Sequence, residues 1–268
     1  MSSLFLLLSG YLVTKAVLPL SLRAMLRGGL IAENYQGVLL PFPAGLIPVT
    51  VFLSLVAIHG LWSTSGTWTV FFLCFGLALL GLWDDLKGSP DYKGFRGHLK
   101  ALSEGHFSTG FIKASVGGLL ALCGAWSLGE RETEHLIINT LLIALLTNFF
   151  NLLDLRPGRT LKIFLAIAVL FLWFFPVDHF WLPALLGPMV AYFPWDLTAR
   201  GMLGDTGANL LGFVLGLSLI TLWGLPEKLI ILVVLIGIQI YAEKFSITEL
   251  IERYPILRYM DRWGRPEH

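Results

Sequence analysis

The chain has 268 residues, of which 56% are hydrophobic and 14% charged, and its mean hydropathy is +0.74. Soluble domains carry about 25% charged residues, so this composition excludes an ordinary soluble globule. A net charge of +1 excludes the strongly basic balance on which nucleic-acid binding depends.

A helix needs about 20 apolar residues, within a range of about 17 to 25, to cross the hydrocarbon core of a bilayer. The first candidate, Leu4–Leu22, has no basic segment before it and no small-residue cleavage site. It reads as a retained span, not a signal peptide. The next are Ala44–Trp62, Trp68–Trp83, Gly110–Leu128 and Leu136–Leu153. Pro176, Asp178 and His179 then divide Leu161–Phe175 from Phe180–Phe193, because proline and charge break a span. Leu203–Trp223 and Leu229–Tyr241 complete the series. The shorter runs are expected to tilt or to be extended by snorkelling flanks. Cys74 and Cys123 lie inside these runs; their spacing suits neither a disulfide framework nor a metal site, and they read as small buried hydrophobes.

The expected fold is therefore all-α: a polytopic membrane bundle of about nine transmembrane helices. No repeat, low-complexity segment or linker interrupts it, so residues 1–268 read as a single domain. Basic residues assign the faces. One set of alternate loops holds Arg23 and Arg27, then Lys87, Lys93, Arg96 and Lys100, then Arg156, Arg159 and Lys162, then Arg200, with five more in the tail from Lys244 to Arg265. The opposite loops hold Arg131 and Lys228. The first set is expected in the cytoplasm, with the N-terminus outside. In the tail, Ser246 and Glu249 form a capping box, and Ile247, Leu250, Ile251 and Tyr254 share one face up to Pro255. That pattern predicts an amphipathic helix lying along the inner membrane surface.

Polar residues at span ends are functional candidates, and four clusters fall on the same face. Asn34-Tyr35-Gln36-Gly37, with Pro41, Pro43 and Gly45, reads as a ligand loop or as a plain re-entry turn. Asp84-Asp85-Leu86-Lys87 ends a run that has no other charge. Paired carboxylates suit Mg²⁺, which takes hard oxygen ligands together with substrate phosphates, or a base; the competing reading is an ordinary solvated loop start. Asn148, Asn151 and Asp154 recur every third residue and share a helix face, either for a ligand or as polar glue between helices. Arg156 and Arg159 follow, fit to grip phosphate or simply to obey the positive-inside bias. Gly204-Asp205-Thr206-Gly207-Ala208-Asn209 opens a span. Glycines admit close approach, a helix N-terminus favours anions, and the alternative is a plain Asp cap.

Taken in order, these residues resemble the polyprenyl-phosphate N-acetylhexosamine-1-phosphate transferases, the superfamily (glycosyltransferase family 4) that includes phospho-N-acetylmuramoyl-pentapeptide transferase. The resemblance runs through the Asn34…Gly37…Pro41 loop, Asp84-Asp85-x-Lys87, Asn148-x-x-Asn151-x-x-Asp154 and Gly204-Asp205-x-Gly207. It implies a bacterial plasma-membrane enzyme with a cytoplasmic site that moves sugar-1-phosphate from a UDP-sugar to polyprenyl (undecaprenyl) phosphate, for cell-envelope glycan synthesis, releasing UMP. It implies Mg²⁺, or Mn²⁺ in its place, on Asp205 with help from Asp85, and Asp84 at the lipid phosphate. Lys87, Asn34, Asn148, Asn151, Asp154, Arg156, Arg159, Gly204 and Gly207 would bind substrate, with Lys100 and Lys113 as further contacts to the lipid phosphate. The resemblance also allows a homodimer.

Departures accompany it. Pro157 stands where the family often has a second aspartate, and Arg156-Pro157-Gly158-Arg159 replaces a Gly-rich run. The region Leu250–Tyr254 lacks the histidine cluster of the muramoyl-pentapeptide branch, which argues against that substrate, and the surface helix stands in place of the family's final span. Two other readings stay open: a catalytically silent prenyl-phosphate-binding relative, and a transporter or flippase. The second is disfavoured because Lys15 and Lys113 lie near span ends, whereas transporters place charges at the bilayer midplane.

Overall fold

The computed structural model describes residues 2–63, 65–88, 109–128, 132–174 and 179–266. In chain order these form helix α1 (Ser3–Arg27), strands β1 (Ile31–Glu33) and β2 (Leu39–Pro41), and helices α2 (Leu46–Gly60), α3 (Ser65–Lys87), α4 (Thr109–Ser127) and α5 (Thr133–Leu153). There follow α6 (Arg159–Phe174), α7 (Trp181–Leu197), α8 (Gly204–Leu222), α9 (Leu225–Lys244), α10 (Ile247–Arg253) and α11 (Pro255–Arg262). Each apolar run forms one helix. Six of them, α1, α3, α4, α5, α8 and α9, are long and apolar enough to cross a membrane. The other three runs fall short of that length: α2 has 15 residues, α6 has 16 and α7 has 17. Lys93, Arg96, Lys100, Arg131, Pro176 and Asp178 lie outside the described residues.

Helix α8 is the centre of the bundle, packed against α2, α3, α4, α5, α6 and α7. Its sequence explains this position. After Asp205 it carries no charge, and every residue from Thr206 to Ile220 is buried; a helix apolar on all sides belongs in an interior. Small residues let its neighbours come close, as membrane helices require. At Gly81 of α3, a Cβ atom would stand 2.7 Å from the Thr206 Cα and 2.8 Å from the Asp205 carbonyl oxygen, so backbone meets backbone there. Outer helices face away from protein for much of their surface. Cys74 is buried as expected, but Cys123 is exposed, because α4 is covered on a narrow side only.

Two peripheral segments position the site. The β1–β2 hairpin is antiparallel, with Ile31 opposite Pro41. Its turn is shaped by the Asn34 side chain, whose Oδ1 accepts from the N–H groups of Gln36 (2.8 Å) and Val38 (3.0 Å). The hairpin exit is stitched to the segment before α8. The Pro41 carbonyl accepts from Met202 N–H, and the Ala44 and Gly45 amides donate to the Met202 and Leu203 carbonyls. The tail begins as its sequence implies: Ser246 Oγ accepts from the Glu249 amide at 3.3 Å, and Pro255 ends one helix by opening the next.

Gly81→Leu is expected to force α3 from α8 and lower stability by about 2 kcal/mol or more. Gly118→Leu, at a position with nothing within 4 Å of the added Cβ, is expected to stay within about 0.5 kcal/mol of wild type. Thermal unfolding in detergent compares the two, and equal melting temperatures would contradict the packing described.

Candidate active site

The N-terminus of α8 starts with unpaired amides, as every helix does, and Leu203, the residue before it, supplies no side-chain cap. Other helices supply the acceptors. Asp85, in the last turn of α3, accepts from the Asp205 amide through Oδ1 at 2.8 Å, and through Oδ2 from the Thr206 amide at 2.9 Å and the Thr206 hydroxyl at 2.6 Å. Asp154, just past the end of α5, accepts from the Gly204 amide through Oδ2 at 3.1 Å. Two aspartate side chains thus accept the first amides of α8, at the positive end of its dipole. Gly204 makes this geometry accessible. Its φ is +74°, and a Cβ would lie 2.9 Å from an Asp85 oxygen, so a side chain is excluded by both conformation and space.

The adjacent aspartates diverge. While Asp85 caps α8, Asp84 turns to Lys113 of α4, whose Nζ donates to Asp84 Oδ2 at 3.1 Å and also to Asp205 Oδ2. Three helices therefore contribute to one ion-pair group, with each side chain about one-fifth exposed (18–23%). Lys113, a subsidiary lipid-phosphate candidate by sequence, lies at the centre of the site. Asp84 and Asp205 direct oxygens at a single cationic group, the hard-oxygen pair that Mg²⁺ accepts alongside phosphates. Among the described residues no cluster of three or more His, Cys, Asp or Glu is arranged for a metal, so phosphate oxygens would have to complete any coordination. Both Asp85 oxygens accept from the start of α8, a capping role that the sequence did not suggest for it.

The other sequence candidates divide. Asp154 also accepts from the Thr160 hydroxyl at 3.3 Å; burial, then the neighbouring Asp196 and Asp85 carboxylates, push its carboxyl well above the usual range. Asn151 donates to Asn209 of α8 at 3.1 Å. Asn148 turns instead to α9, donating to Gln239 Oε1 at 2.6 Å, which is the helix-glue role. Arg156 stacks on the Tyr35 ring at 3.9 Å and with it lines a cavity of about 110 Å³ shared with Asn34, Asp154, Asp196 and Gly204. Arg159 does not reach that cavity in the way expected of a phosphate ligand: it is 2% exposed and bonded to Asp261 and Thr248. Asn34, although a lining residue, has its side-chain oxygen committed to the hairpin turn. Gly207 is a contact point: a Cβ there would stand 2.3 Å from Leu203 Cδ1 and 3.4 Å from the Cα of the facing Gly45, and a Cβ on Gly45 would stand 3.1 Å from the Gly207 Cα. Lys87 is exposed at the end of α3, and Lys100 lies outside the described residues.

Sequence reading passed over Asp196 and Tyr192, both buried in α7 beside the cavity. Asp196 accepts from the Gly158 amide at 2.8 Å, while the Tyr192 hydroxyl has no hydrogen-bond partner among the described residues. The available signal was an aspartate with no neighbouring charge near the end of an apolar run.

With this geometry in place, the comparisons locate the chain. The model of glycosyl transferase family 4 matches residues 67–223, more than half of the chain, from the first turn of α3 to the end of α8, and the match includes Asp84, Asp85, Asp154 and Asp205. The protein belongs to glycosyl transferase family 4. The family's general chemistry is glycosyl-phosphate transfer to polyprenyl phosphate, which suits a polar site at the end of apolar helices. A comparison with curated proteins finds no match.

Asp85→Ala is expected to lower stability by about 1–2 kcal/mol through loss of the α8 cap, a larger loss than for Asp84→Ala in the same thermal assay. The raised Asp154 favours its neutral form in the folded protein. That contribution is fully present below the ordinary carboxylate value of about 4 and is lost as pH rises through the elevated one. Asp154→Asn is expected to flatten the decline in melting temperature across that window; an unaltered pH profile would contradict the assignment.

Proposed function

We propose that the protein transfers an N-acetylhexosamine-1-phosphate from a UDP-sugar to polyprenyl phosphate at the cytoplasmic face of a bacterial plasma membrane. The observation that supports this most is the meeting of Asp84, Asp205 and Lys113 from three helices at the capped start of α8. An oxygen of the lipid phosphate attacks the β-phosphorus of the UDP-sugar. The bond from that phosphorus to the oxygen bridging the α- and β-phosphates breaks, and UMP leaves with the bridging oxygen. Reactants and products are anions, so charge neutralisation and positioning dominate the barrier.

Asp205 and Asp84 would hold Mg²⁺ or Mn²⁺, and the ion would supply neutralisation of the phosphate oxygens. Asp84 also faces the space where the lipid phosphate must approach and orients it, accepting a proton if that phosphate arrives protonated. Lys113 contributes a positive charge between the two carboxylates and the incoming phosphate. Asp85 acts by fixing the backbone of Gly204–Thr206, not as a ligand. Asp154 and Arg156, with Tyr35 beneath the guanidinium, form the cavity that would take the nucleotide end of the donor; there Pro157 stands for the family's second aspartate. The basic-residue asymmetry supports an external N-terminus and a cytoplasmic tail.

The test combines purified protein, undecaprenyl phosphate, Mg²⁺ and a panel of UDP-sugars, with UMP as readout. One sugar is expected to give UMP; no UMP from any of them would overturn the reading in favour of a silent relative. Asp205→Asn and Asp84→Asn are each expected to cut turnover by about two orders of magnitude or more with near-normal melting temperatures, and full activity in either variant would remove that residue from the chemistry. EDTA is expected to stop the reaction and Mg²⁺ or Mn²⁺ to restore it. Turnover indifferent to chelation would exclude the metal.

A further inference from the structure

The tail reaches back to the turn that carries Asp154. Arg159 opens α6 from a buried position and is held entirely by tail residues: Nε and Nη2 donate to Asp261 Oδ1 and Oδ2 at 2.7 and 3.0 Å, and Nη1 donates to Thr248 Oγ1 at 2.9 Å. Arg265 spans the gap from the other side. Its Nε donates to the Pro157 carbonyl at 2.6 Å and its Nη2 to Asp261 Oδ1 at 2.8 Å. Lys162 adds bonds to the Asp261 and Met260 carbonyls at 2.8 and 3.2 Å, the end of α11 where a cation is favoured. Within the same turn, the Gly158 amide donates to Asp196.

The turn is therefore gripped at Pro157, Gly158 and Arg159 in succession, two of the three grips coming from the tail. Just upstream, Asp154 accepts from Gly204 at the start of α8. Little else binds α11: apart from Asp261, every residue of that helix is exposed. Its attachment is thus polar and centres on Asp261, whose loss would leave the buried Arg159 guanidinium uncompensated. Hairpin and tail both lie outside the segment matched by the family model.

We propose that Asp261 and Arg265 are positioning residues for the transfer reaction, fixing the Asp154–Arg159 turn so that Asp154 and Arg156 present a set cavity to the nucleotide end of the donor. The proposal rests on the transferase reading of this site. The tail acts as a latch on the turn. Its release loosens the grip on Pro157 and Arg159, and through Asp154 the amide of Gly204, while Asp84, Lys113 and the lipid-phosphate side are untouched.

The test uses the full-length protein in nanodiscs, with Asp261→Ala, Asp261→Glu and Arg265→Gln. In Asp261→Ala, hydrogen exchange at the Gly158 and Gly204 amides is expected to accelerate about tenfold or more. KM for the UDP-sugar is expected to rise by about tenfold, with KM for polyprenyl phosphate within about twofold. Asp261→Glu is expected to recover most of both effects. Unchanged protection at both amides overturns the proposal, as does a parallel rise of the two KM values. If Asp261→Ala fails to fold, Arg265→Gln, which keeps the Arg159–Asp261 pair, carries the same measurements and the same criteria. Accelerated exchange in a protein whose wild type makes no UMP upholds the latch and overturns only the transferase reading.

Discussion

The Asp85 carboxylate against the first amides of α8 is the contact on which the rest of the site is arranged. A central helix that is apolar on every side after Asp205 can be buried only if its polar start is satisfied, and its own preceding residue does not do so. The acceptor comes from α3, and the bare backbone at Gly81 allows α3 to approach closely enough. Once Asp85 is fixed there, its neighbour Asp84 must project to the other side of the helix end. Asp205 lies in the first turn of α8 and points to the same place. The meeting of Asp84 and Asp205 across Lys113 follows from a capping requirement, without any separate device to bring the acids together.

This arrangement also separates two kinds of work among chemically identical side chains. Asp85 and Asp154 accept backbone amides and define where the α8 terminus lies. Asp84 and Asp205 retain partial exposure and face a cation. The division agrees with what phosphoryl transfer between anions asks of a protein, rigid placement of charge more than covalent participation. It also explains how the site can be open to a membrane-bound substrate while the helix that carries it is almost wholly enclosed.

Much of the fold was legible because apolar runs and span lengths are written directly in the chain, and each run did form a helix. The runs at Ala44–Trp62, Leu161–Phe175 and Phe180–Phe193 were harder, since hydropathy does not say where a helix of 15 to 17 residues starts and stops. Asp84, Asp85, Asp154 and Asp205 were legible as charges at the ends of uncharged runs. Their individual roles were not, because the direction of a side chain at a helix end depends on a partner in another helix, from 29 residues away for Asp84 to 121 for Asp85. Arg159 illustrates the limit: a basic residue beside this turn reads as a phosphate ligand or as positive-inside bias until the tail that neutralises it is in view. Asn34 and Asn148 likewise had two readings each, and the geometry has the turn for one and the helix contact for the other. Asp196 was missed because one acid near the end of a hydrophobic helix resembles a loop boundary.

The stitching of the hairpin exit to the segment before α8 has a bearing on biogenesis. Pro41, Ala44 and Gly45 bond to Met202 and Leu203, and Asp85 bonds to residues 120 and 121 positions later. Contacts of such separation form slowly, since the intervening chain must first be brought together. During synthesis the early helices enter the bilayer long before α8 exists to receive them. Until then Asp85 has water in place of the α8 amides, which keeps that end of α3 at the aqueous boundary. Helix α8 is inserted late, between elements already in place, and Asp84 and Asp205 can meet only in a chain whose integration has reached its centre.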